Sequence, residues 1–215
     1  MQYIDNFLNK ITMYRLVFQG LVCLAIVAIV FSIVGVFHYS WLLMVLSTTI
    51  ISVTCYVSNF LFSKLFKVQT NHESVWITSF ILFFLLLPDE SVNNFWWIVL
   101  AGALAMASKY LLVISRKHIF NPAAMGVFIL GLLGNGLAAW WVGSTVMLIP
   151  VAILGFLVLR KVKRFSLFLS FVFASTISLS VFGILNGLNI YDALSQALFS
   201  GPIIFLGTIM LTEPL

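Results

Sequence analysis

Ser115-Arg116-Lys117-His118-Ile119-Phe120-Asn121-Pro122-Ala123-Ala124 is a basic, polar, proline-broken stretch lying between two long apolar runs. Pro122 has no N–H, and its ring disfavours a helical Asn121. A helix that ends near Ser115 and restarts at Pro122 leaves backbone groups that water, protein or a ligand must satisfy. Within a bilayer, such breaks are tolerated where they are buried in protein or line a cavity. The stretch therefore predicts a membrane protein with interrupted helices rather than a passive anchor.

The composition agrees. Hydrophobic residues make up 62% of the 215-residue chain and charged residues 8%, against about 25% charged in soluble domains. The mean hydropathy is +1.16. No water-soluble fold of this length hides so much apolar surface. The net charge of +5 comes from short basic clusters between apolar runs, so it signals loops facing anionic lipid and not nucleic-acid binding. Cys23 and Cys55 each fall inside an apolar run with no second thiol at metal spacing. They read as small buried hydrophobes, and no metal site is expected. Residues 1–17 carry Asp5, Lys10 and Arg15 and read as a cytoplasmic amphipathic lead-in, not a signal peptide.

Eight membrane segments follow from the hydropathy: 18–38, 41–63, 74–88, 94–115, 122–139, 142–160, 165–185 and 192–211. The third falls short of the roughly 20 residues that cross a bilayer. The last is interrupted by Ser200-Gly201-Pro202. If the segments alternate, Lys10/Arg15, Lys64/Lys67, Arg116/Lys117 and the Arg160–Arg164 cluster share one side. Asp89, Glu90 and Asp192 share the other. The positive-inside rule then puts the N-terminus in the cytoplasm of a multi-pass inner-membrane protein. Lys109 lies within a segment, two turns from its basic end, and is expected to snorkel outward. Trp96, Trp97, Trp140 and Trp141 read as interfacial anchors. Gly126, Gly131, Gly134 and Gly136, with Gly102 and Ala105, read as close helix packing, and Thr145 as a helix N-cap.

A weak internal echo divides the chain. A short run beginning at Glu73-Ser74 follows two full spans, and a second short, Gly/Pro-interrupted run from Asp192 follows spans six and seven. Paired short or broken segments point to repeats with a site between them. The expected organisation is the lead-in 1–17, a first membrane repeat 18–139 and a second, truncated repeat 140–215, whose missing counterparts would lie beyond Leu215.

At His118-Ile119-Phe120-Asn121-Pro122-Ala123-Ala124, at Met210-Leu211-Thr212-Glu213-Pro214 and at Asn71-His72-Glu73-Ser74-Val75-Trp76, the chain resembles a known family. It is the flavin-bearing membrane subunit shared by the sodium-pumping NADH:quinone oxidoreductase (its B subunit) and the Rnf complex (its D subunit). The resemblance spans roughly residues 40–215 and rests on the order and spacing of the three motifs. It implies an all-α fold of inverted repeats with urea-channel-like architecture. It also implies electron transfer through a flavin, riboflavin or FMN, coupled to Na⁺ or H⁺ movement. His118, Asn121, Pro122 and Thr212 then match positions near a flavin. Glu73 and Glu213 match an ion or proton path, with Glu213 in place of the family's Asp, and His72 beside Glu73 has the chemistry of a proton relay. The family's Asp-x-Ser-Gly-Ala-Thr motif for covalent FMN is missing. Val142-Gly143-Ser144-Thr145 lacks its acidic residue, so the flavin is expected to be non-covalent. The short chain looks closer to a compact relative whose membrane part is followed by a soluble flavin/NAD(P)H reductase domain. A cytoplasmic reductase, the lipid bilayer and a quinone are the partners this implies.

The same residues keep ordinary readings. Asn121-Pro122 could be a plain loop, His118 an interfacial histidine beside Arg116 and Lys117, His72 a loop residue. Glu73 and Glu213 could reach the headgroups. The rival function is a small-solute transporter or channel on the same scaffold, without redox chemistry; a third is a structural scaffold subunit.

Overall fold

The computed structural model describes residues 8–68, 72–88, 92–114, 117–134, 138–199 and 202–212; side chains at 92–94, 114, 117, 118 and 196–199 lie outside that description. Glu213, Pro214, Asp89 and Glu90 therefore fall outside the described residues. Among the described residues the regular elements are helices, apart from one ribbon of two two-residue strands and an isolated bridge. Four stretches are long and apolar enough to cross a membrane: Met13–Ile33, Trp41–Phe66, Thr145–Val162 and Phe165–Leu185. That is half the number of segments read from hydropathy. The shortfall lies in helices that are apolar but stop early.

The residues cluster into two compact units, one of 18–139 and one of 1–17 with 140–214. In the first unit, α1 (Met13–Ile33, shared with the other unit at its start) ends in a turn at Gly35, whose φ of +82° suits glycine. This turn comes earlier than the expected end at 38. Helix α2 (Trp41–Phe66) closes on Lys67 in the left-handed region, where the Lys67 N–H donates to Ser63 O. Helix α3 (His72–Leu85) has 14 residues, so it is about 21 Å long against a hydrocarbon thickness of about 30 Å. Val75, Ile77, Thr78, Ser79 and Ile81–Leu85 are all buried. At 100° per residue these positions cover most of the helix, so α3 is largely held inside the unit, with Glu73, Trp76 and Phe80 partly exposed along one side. At its end the chain extends: Leu86 bridges Ala138, and the Ala139 N–H donates to Leu85 O at 2.9 Å. These bonds satisfy groups that a half-length helix would otherwise leave unpaired.

Helix α4 (Val92–Leu111) packs against α2 and α5 (Pro122–Leu132). Small residues set both contacts. A Cβ on Gly126 would lie 2.8 Å from Ala101 O, and one on Gly102 would lie 3.0 Å from Thr54 Cγ2. Gly131 has open space around it and takes no part in packing, contrary to the sequence reading. Helix α5 also ends at Leu132, short of 139. Gly134 follows with φ +80°, a turn that this backbone region makes available to glycine.

In the second unit, Trp141–Gly143 and Thr145–Met147 form 3-10 turns ahead of α6 (Leu148–Val162). Trp141 is buried rather than interfacial. Thr145 is exposed and does not cap; Ser144 holds the cap position without a side-chain bond. Helix α6 ends on Lys163, again left-handed, and Lys161 Nζ donates to Leu8 O at 2.5 Å, tying the lead-in to this end. Helix α7 (Phe165–Leu185) packs on α8 (Ile190–Phe199). A short buried segment follows: α9 (Ile203–Phe205) running into a π-helical turn at Leu206–Met210. The expected eighth span is thus two separate pieces. Gly155 lets the π turn approach α6: a Cβ there would sit 2.7 Å from Thr208 Oγ1.

Candidate functional site

The proline break is an ordered corner. Val113–Ile114 pairs antiparallel with Lys117–His118, in register Val113↔His118 and Ile114↔Lys117, and the Ile119 N–H donates to Leu112 O at 3.1 Å. Asn121 follows with extended φ/ψ, and Pro122 opens α5. Asn121 Oδ1 accepts from the N–H groups of Ala123 (3.0 Å) and Ala124 (3.2 Å). Asn121 is therefore an N-cap and Pro122 an N1 residue, a pairing that fixes φ and satisfies two orphan donors. Backbone placement puts His118 on the ribbon beside this corner; its side chain lies outside the description.

The second break also has its polar group engaged. Thr212 is buried, and its hydroxyl donates to Thr208 O; the Thr208 hydroxyl donates to Ile204 O at 2.6 Å. The π turn accommodates these bonds, and single π turns recur at functional sites. The two breaks belong to different units.

The polar groups that do meet lie at the N-terminal end of α3, where sequence reasoning only partly looked. His72 is exposed, and its ring stacks 6.3 Å from Tyr56 of α2, which in turn is 6.3 Å from Trp76. Glu73 is half-buried in the first turn. Lys109 of α4 points inward: its Nζ donates to Ser74 Oγ at 3.0 Å. Ser74 is the partner that Lys109, expected from the sequence to snorkel outward, takes within the unit. One residue on, Tyr110 OH donates to Asn59 Oδ1 at 2.8 Å, and the Tyr110 ring stacks on Phe62 and Phe66 at 5.8 and 5.9 Å. Asn59 is 3% exposed, so this bond satisfies an amide oxygen that would otherwise be costly in the interior. Asn59, Ser74 and Tyr110 were missed. The signal available was polar residues within apolar helices one or two turns from a basic end.

An open groove of about 470 Å³ runs beside this cluster, lined by Thr48, Thr49, Ser52, Tyr56 and Trp76 among others. That volume is in the range of small-molecule sites. For a flavin the fit is divided. Tyr56 and Trp76 offer aromatic faces and the hydroxyls offer acceptor lone pairs, which suits a flat polar-edged ring. None of His118, Asn121, Pro122 or Thr212 lines the groove. Asn121 Oδ1 and the Thr212 hydroxyl proton are committed to backbone groups instead. Among the described residues, no cluster of three His, Cys, Asp or Glu side chains is arranged to hold a metal ion.

Comparison with family models, with curated proteins and with solved structures returns no match. Functional assignment thus rests on the residues and their arrangement.

Proposed function

We propose that this protein is the membrane part of a flavin-dependent electron-transfer system, built as two repeats of eight membrane segments in all. It would receive electrons from a reductase on the side of the basic clusters, taken as cytoplasmic. The observation that carries the reading is the short buried helical segment in each unit. Helix α3 lies in one and Ile203–Met210 in the other, and each adjoins one of the motifs that the family resemblance rests on. Short or broken helices in corresponding halves are the arrangement that builds a binding site within a bilayer. A bound flavin would supply the redox chemistry. The chain's own contribution is positional. Asn121 and Pro122 set the start of α5, Thr212 holds the turn after the π segment, and α3 supplies Glu73 to an ion or proton path, with His72 and Glu213 as its further members.

The test is the absorption spectrum of the purified protein, as a whole chain with any reductase partner retained. The blue-light band of an oxidised flavin, bleached by NADH plus reductase, supports the reading. A colourless preparation overturns it.

A second reading, solute transport without redox chemistry, is favoured by one observation: the Asn121 and Thr212 side chains bond to their own backbone. A colourless protein that moves a small solute into liposomes would establish it.

A further inference from the structure

The open groove is walled by α2 and by Trp76 on the partly exposed side of α3, both in one unit. Its three aliphatic hydroxyls are already engaged. Thr48 Oγ1 donates to Met44 O at 2.7 Å, Thr49 Oγ1 to Val45 O at 2.8 Å, and Ser52 Oγ to Ser79 Oγ at 3.5 Å. The rest of the wall is the methyl groups of Val53 and Val57 and the rings of Tyr56 and Trp76. Such a wall suits a hydrocarbon chain and leaves a polar ligand no donor from those hydroxyls.

The charge lies at one end. At 100° per residue Thr49, Val53, Tyr56, Phe60 and Lys64 share a face of α2, which closes on Lys67. Helical side chains lean toward the N-terminus, and the Lys64 ammonium stands 4.3 Å from the centre of the Phe60 ring, back along this face toward Tyr56. Exposed His72 stacks on Tyr56 from the start of α3, and Lys64 and Lys67 are exposed as well. Lys109, bonded to Ser74, adds a further positive charge here. Among the described residues the acid at this end is half-buried Glu73. Eight residues separate Tyr56 from Lys64, about 12 Å of helix, against about 15 Å for the hydrocarbon of one leaflet. A lipid whose head meets Lys64 thus lays its own tail in the groove.

We infer that the groove is a site for an anionic phospholipid, with one acyl chain between α2 and α3 and the phosphate head at Lys64, Lys67 and His72. Lipid tails are as apolar as the side chains they meet, so a tail by itself gains little over its neighbours in the bilayer. Selection rests on the head, which each surface lysine favours about fivefold when it is anionic. The inference does not rest on the electron-transfer reading, which leaves the groove unused.

The experiment reconstitutes the whole chain in vesicles of phosphatidylcholine and phosphatidylglycerol, with bromine on the acyl chains of one lipid at a time. Bromine quenches tryptophan on contact, and the share due to Trp76 is the difference between wild type and Trp76→Phe. At equal mole fraction, brominated phosphatidylglycerol is expected to quench that share as a lipid bound roughly twentyfold more tightly than brominated phosphatidylcholine. Lys64→Gln with Lys67→Gln is expected to bring the ratio near one. Lys163→Gln with Arg164→Gln, an exposed basic pair in the other unit, is expected to leave it unchanged. Equal quenching by the two lipids in wild type, the mark of bulk lipid only, overturns the inference. So does a preference that survives the Lys64/Lys67 change, or one that falls equally with either pair. If Trp76→Phe does not fold, native mass spectrometry of wild type and the Lys64/Lys67 variant decides. Phosphatidylglycerol retained over phosphatidylcholine by wild type and lost from the variant supports the site; equal retention overturns it. A colourless preparation changes neither readout, so the flavin proposal and the lipid site fail separately.

Discussion

Gly126 and Gly131 sit on the same helix, α5, and the same substitution should move them in opposite directions. An alanine Cβ at 126 would meet Ala101 O at 2.8 Å and both Ala105 Cβ and Ala105 N at 3.0 Å. Carbon contacts are comfortable at about 3.5–4.0 Å, so α4 and α5 must separate by roughly half an ångström or more. Two of the three atoms are backbone, which no rotamer change can move aside. Overpacking of this kind costs about 1–3 kcal/mol. Replacing a helical glycine with alanine returns up to about 1 kcal/mol. Gly126→Ala should therefore lose about 1–2 kcal/mol net, a fall of roughly 3–6 °C in midpoint for a chain of this length. At Gly131 nothing lies within 4 Å of the added methyl, so only the propensity gain applies, and the midpoint should hold or rise by about 1–2 °C. Intrinsic tryptophan fluorescence during a temperature ramp in detergent reads both. Equal midpoints for the two variants, or a lower one for Gly131→Ala, would refute the argument that Gly126 marks the α4–α5 contact.

Asn121→Ala removes both cap bonds and should cost about 1 kcal/mol, with Asn121→Ser recovering most of it; if activity falls in both while stability recovers in Ser, the side chain does more than cap. Tyr110→Phe leaves the buried Asn59 oxygen without its hydroxyl donor, an expected loss of about 1–2 kcal/mol by the same thermal assay. Cys55 is fully buried and Cys23 exposed, so a small membrane-permeant thiol reagent should label one cysteine in native micelles and two after SDS, as counted by intact mass.

The long spans were legible because each carries its evidence locally: α1, α2, α6 and α7 are uninterrupted apolar runs of membrane length. The break before Pro122 was also legible, since proline restarts a helix whatever surrounds it; that Asn121 caps the new helix was not read. What failed depended on neighbours far along the chain. The partner of Lys109 went unread because nothing near it in sequence announces Ser74, 35 residues away. Trp141 looked interfacial because pairs of tryptophans usually are; its burial is decided by packing. Residues 122–139 looked like one span because hydropathy continues past Leu132, while Gly134 turns the backbone without any change in polarity. Cys23 looked buried because an apolar residue in an apolar helix gives no sign of which face it occupies.

The π turn at Leu206–Met210 holds one more residue than an α-helical turn of the same span would need. Shortening the chain by a single residue there would leave an unbroken helix, and the backbone would accept it. Everything downstream would then swing by about 100° around the axis, while the hydroxyl of Thr212 could still bond the carbonyl four residues back, as it does now. The length of this loop of chain is thus a phase setting: it decides which way the last described residues face, independently of what they are.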